Sequence, residues 1–145
     1  MPRKSPRQTI EIYESAPLPK SGNTNADKAV SACSEWFARH NEQEVLAKRW
    51  QRLETHLIRQ HRWFQLSSQE RAVHPEAPDL EAISDQLDEL YLLNLKLLIS
   101  LPSIAATTGH GLASKLSVAL VLIHPEENKE VHTLIQSVLM DVKAN

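Results

Sequence analysis

Glycines set just ahead of a helix and followed by a lysine suit phosphate binding, because backbone N–H groups and the helix dipole point at the anion. The segment Gly109-His-Gly-Leu-Ala-Ser-Lys115 has those parts. Thr107, Thr108, His110 and Lys115 would be its side-chain donors to a small anion or nucleotide. The spacing is not that of a P-loop, which needs four residues between its glycines and a lysine directly after the second. No strand is expected ahead of it either, as a nucleotide fingerprint would require. Ala105, Ala106, Gly109 and Gly111 also suit two helices in close approach, with Lys115 reaching out to solvent. That second reading is preferred.

The chain has seven histidines. A helical metal pair needs ligands three or four residues apart on one face. His56 and His61 are five apart, and His124 and His132 are eight apart. His40 and Glu44 have a suitable separation but no second pair to join them. Neither a metal site nor a cofactor is expected. Cys33 is the one cysteine, which excludes an intramolecular disulfide. It falls on an apolar helix face, where a free cysteine acts as a small hydrophobe. With no Gly-x-Ser-x-Gly elbow, no catalytic residue can be named and an enzyme is the less favoured reading.

A basic face offers a further chemistry. Lys48, Arg52, Arg59 and Arg62 share one side of a helical wheel, with His56 beside them. Trp63 falls on that same side. Cations beside an exposed aromatic can engage phosphates and stacked bases. Amphipathicity alone also puts a charged stripe in solvent, and a tryptophan here can instead fold beneath the following loop. The solvated stripe is preferred, with nucleic acid as a possible partner.

These groups must be positioned by helices. Residues 1–25 carry Pro2, Pro6, Pro17 and Pro19 and few apolar side chains, so a disordered tail is expected there. A first long helix is expected from about Asn25, a capping residue, to Phe64, with Asp27 in its first turn. Its later apolar stripe is Leu46, Trp50, Leu53, Leu57 and Phe64. One continuous helix is expected through the polar stretch 39–44, supported by the Glu35–Arg39 and Glu44–Lys48 spacings. Ser67-Ser-Gln-Glu70 can open one short turn, and Asp79 can cap the next helix.

That next helix, about 80–100, repeats apolar residues at intervals of three and four. Leu87, Leu90, Asn94 and Leu97 form the centre of this seam. A lone seam asparagine often pairs across an interface, so the seam is expected to mediate assembly. Two shorter helices follow, broken at His124-Pro125, the last with Val131, Leu134, Ile135, Val138 and Val142 facing inward. No segment alternates with period two. The fold expected is all-α: a four-helix bundle or two packed helical hairpins, as a single domain over 26–145.

With 145 residues, a net charge of −2 and 41% hydrophobic residues, the chain exerts no global pull on nucleic acid or membranes. No secretory signal or membrane span is expected, which makes the cytoplasm the default location. The function expected by elimination is a non-enzymatic interaction or regulatory module, acting on a protein partner or as a homodimer.

Overall fold

The computed structural model describes residues 26–144. The expected tail over 1–25 and the cap at Asn25 lie outside the described residues. All regular structure among the described residues is helical: α1 (Lys28–His61), α2 (Ser68–Ala72), α3 (Ala77–Ser100), α4 (Gly109–Leu122) and α5 (Lys129–Ala144). Single 3₁₀ turns follow α1 at Trp63–Gln65 and α3 at Leu101–Ser103. The all-α expectation holds. None of these helices is long and apolar enough to cross a membrane.

The helix ends follow from local chemistry. α1 runs unbroken through 39–44, where Asn41, Glu42 and Glu44 are exposed and Arg39, His40 and Gln43 are half-buried. α2 opens with a reciprocal cap: the Glu70 amide donates to Ser67 Oγ at 3.1 Å, and the Ser67 amide to Glu70 Oε1 at 2.8 Å. α3 begins at Ala77, two residues before the cap expected at Asp79. Pro78 sits inside its first turn, where the missing N–H leaves no helical bond unmade. At the start of α5, the Val131 amide donates to Asn128 Oδ1 at 3.3 Å.

The chain groups into two compact units. One holds residues 26–37 and 97–144. Its core joins Ala32, Cys33, Trp36, Leu101 and Val118, with Phe37, Leu97, Leu98 and Ile104 packed around them. Trp36 and Phe37 meet edge to face at 5.2 Å. Here α4 and α5 also pack against each other.

The other unit is Ala38–Lys96. Its core is Leu57, Trp63 and Leu80, surrounded by Trp50, Leu53, Ile58, Leu66 and Ala77. Trp63 takes the buried place beneath the following loop that the sequence allowed it, and Phe64 leaves its expected place on the apolar stripe. Trp63 is buried, and Phe64 is 67% exposed. The cause is Arg62, which stands in the left-handed region at φ 54°, ψ 46°. That turn ends the helical phase of α1, so spacing counted along the helix no longer applies beyond it. Trp63 then folds into the core, where the Arg71 guanidinium donates to its carbonyl at 3.0 Å and stacks 5.4 Å from its ring.

A side chain costs energy at such a left-handed helix end, and glycine does not bear that cost. We expect Arg62→Gly to raise stability by about 1 kcal/mol. Urea unfolding should show the midpoint rising with its slope unchanged; a lower midpoint would mean that the arginine side chain contributes more than its backbone strain costs.

Candidate functional site

The glycine-rich segment is occupied by the protein itself. Asp27 has no exposed surface and stands between the starts of two helices. Its Oδ1 accepts the Ala29 amide at 3.0 Å, which caps α1. Its Oδ2 accepts the amides of Thr107 at 3.1 Å and Thr108 at 3.0 Å. The Thr108 hydroxyl donates to the same oxygen at 2.6 Å and in turn accepts the Gly111 amide at 3.0 Å, capping α4. One carboxylate thus joins segments 80 residues apart. It serves as the cap of α1, whereas the sequence placed it within the first turn behind a cap at Asn25.

Burial raises the Asp27 pKa, but the Thr108 hydroxyl and the amides of Ala29, Thr107 and Thr108 outweigh it. The carboxyl is held below its ordinary range and is charged at neutral pH. Gly111 is required for this arrangement. A Cβ there would overlap the Asp27 carboxylate, with Cγ only 2.9 Å away and Ala106 Cβ at 3.0 Å. The glycine is therefore explained by a close approach, as the preferred sequence reading held, but the approaching group is a carboxylate. The anion-binding donors proposed from sequence divide accordingly. The Thr108 hydroxyl is taken up by Asp27, Thr107 gives Asp27 only its backbone amide and is itself exposed, and His110 is exposed on α4. Lys115 is half-buried and near enough to Cys33 to oppose the upward push that burial gives the thiol pKa.

The other predicted groups sort as follows. Lys48, Arg52, His56 and Arg59 do share an exposed face, lining one shallow depression with Gln51, Thr55 and Gln60. Arg62 is exposed at the end of α1, but Trp63 is in the core and offers no stacking surface. In the seam of α3, Asn94 is 5% exposed and Leu87, Leu90 and Leu97 are half-buried. Leu97 packs into the core with Trp36. The seam thus faces the chain's own interior. The exposed apolar residues of the helix are Tyr91, Leu92, Leu93, Leu95 and Ile99.

One cluster was not legible from spacing. His56 and His61 both point their Nε2 atoms at Glu76 Oε1, at 3.4 and 3.5 Å. The two imidazoles meet edge to face at 5.4 Å. His61 also meets His74 at 4.8 Å, and His74 rests on Trp63 at 5.6 Å. The Glu76 amide donates to His74 Nδ1 at 3.1 Å. A five-residue separation hides the pair because the third member comes from the loop before α3.

No family model, curated protein or solved structure matches the chain. Its geometry alone carries the functional reading.

Removing the Asp27 carboxylate uncaps α1 and leaves buried amides unpaired. We expect Asp27→Ala to cost about 3 kcal/mol in unfolding free energy. Gly111→Ala should be destabilising alone but milder in the Asp27→Ala background, since the carboxylate it strikes is gone. Strict additivity in this cycle would contradict the contact. The folded pKa lies below the unfolded one, so the stabilisation is present above the unfolded value. Wild-type stability should fall as pH drops through the folded pKa, and Asp27→Ala should lack that component.

Proposed function

We propose that this chain is a non-enzymatic, cytoplasmic interaction module that self-associates through α5. The supporting observation is a mismatch between apolar surface and core. In the unit of 26–37 and 97–144, the large buried apolar side chains are Trp36, Leu101, Val118 and Leu139. Ile99, Leu112, Val121, Leu122, Val131, Leu134, Val138 and Met140 remain exposed. Isolated exposed apolar residues are ordinary, but so many beside a small core mark a surface awaiting a partner.

α5 explains why. Its apolar stripe was expected to face inward as a whole. Instead Leu139 is buried, Ile135 and Val142 are half-buried, and Leu134 is 64% exposed. Val131, Leu134 and Val138 follow one another at helical intervals along the uncovered side. The stripe is wider than the surface the chain itself covers. A second copy carries an identical stripe, so a two-fold pairing would cover both at once.

A second reading rests on the Lys48–Arg52–His56–Arg59 depression, which is basic and open to solvent. It would make the chain an accessory nucleic-acid binder held by phosphate contacts. Salt-sensitive retention on DNA or RNA, lost in Arg52→Glu with Arg59→Glu, would favour it.

Light scattering coupled to size exclusion decides the first reading. Wild type should elute as a dimer. Leu134→Glu should elute as a monomer with its helical circular dichroism intact, because most of that side chain is exposed in its own chain. A wild-type monomer at the highest attainable concentration, or a dimer unaffected by Leu134→Glu, would reject self-association through α5.

A further inference from the structure

We propose that His56, His61 and Glu76 form a binding site for a zinc-class divalent ion, with two imidazoles and one carboxylate as ligands. One donor atom from each residue lies within 4.8 Å of the others. Around tetrahedral zinc, with bonds near 2.0–2.1 Å, neighbouring ligand atoms stand about 3.3 Å apart. The two Nε2–Oε1 separations, 3.4 and 3.5 Å, match that edge closely, and the two imidazole donors, within 4.8 Å of each other, would draw together around the ion. The donor set also fits the ion: neutral imidazole with carboxylate suits zinc, whereas magnesium and calcium prefer oxygen alone.

The site is built by the fold. Two helical residues five apart diverge by about 140° around the axis, so the histidines could not chelate an ion alone. Glu76 enters between them from the segment leading into α3. That segment is fixed at three points. The His74 amide donates to the Arg71 carbonyl at 3.2 Å, and the Ala77 amide to the His74 carbonyl at 3.0 Å. The Glu76 amide donates to His74 Nδ1. His74 therefore spends its Nδ1 on positioning the glutamate, and its ring is backed by Trp63. It is a positioning residue, with the ligands supplied by its neighbours.

Three protein ligands leave one tetrahedral position open, for water or for a donor from another molecule. The side chains of His56, His61 and Glu76 are 47%, 42% and 35% exposed, so an ion can reach them without local unfolding.

The test uses the full chain without an affinity tag, titrated with zinc against a chromophoric chelator, and with cobalt as a spectroscopic probe. One ion per chain is expected, and cobalt should give the intense visible bands of four-coordinate geometry. His56→Ala, His61→Ala and Glu76→Gln should each weaken zinc at least about tenfold. Glu76→Gln keeps the side-chain shape, and circular dichroism on each variant confirms the fold. His124→Ala, at an exposed histidine elsewhere, should bind as wild type. Absence of zinc binding, wild-type affinity in the three variants, or an equal loss in His124→Ala would overturn the proposal and leave the cluster as a histidine–glutamate ion pair.

Discussion

A buried carboxylate between two helix starts is the constraint on which much of this molecule depends. Helix N-termini present amides that have no partner within the helix, and a buried end must find acceptors elsewhere. Asp27 supplies them for α1 directly and for α4 together with Thr108. A charged acceptor makes stronger hydrogen bonds than a neutral one, and the two dipoles favour negative charge at that place. The arrangement also explains why a glycine is needed at 111. A segment that looks prepared for an external anion is thereby satisfied from within.

The second determinant is the left-handed residue after α1. Arg62 redirects the chain by one residue's worth of backbone, and the consequences run in sequence. Trp63 enters the core, Phe64 leaves it, His74 rests on Trp63, and Glu76 is brought between His56 and His61. The histidine–glutamate cluster is thus a product of how the loop is packed and not of helix periodicity. Its members come from two segments that only the fold of Ala38–Lys96 brings together.

Periodicity was a sound guide wherever one helix continued. The continuity of α1, the capping box at Ser67 and Glu70, the break near His124 and the all-α class were all legible because each depends on local spacing or a local cap. Cys33 was legible for the same reason, lying on an apolar face that proved buried. What escaped were features set by contacts distant in sequence. Asp27 carries no sign that its partners are Thr107 and Thr108, and Glu76 none that it meets two histidines. Phe64 was misplaced because a wheel drawn through Arg62 assumes a helix that has ended. The α3 seam residues are buried or half-buried within the chain, and heptad spacing cannot tell an interface between copies from a contact within one chain. On α5 the inward face was misplaced: Val131, Leu134 and Val138 are exposed, and the buried residue is Leu139, one position beyond the stripe read from spacing.

The most direct measurement is a carboxyl carbon NMR titration of Asp27, followed together with the amide resonances of Ala29, Thr107 and Thr108. The structure predicts one shared midpoint, below that of an ordinary aspartate, with all three amides moving as the carboxyl gains its proton. A midpoint at the ordinary value, with those amides unmoved, would contradict the account.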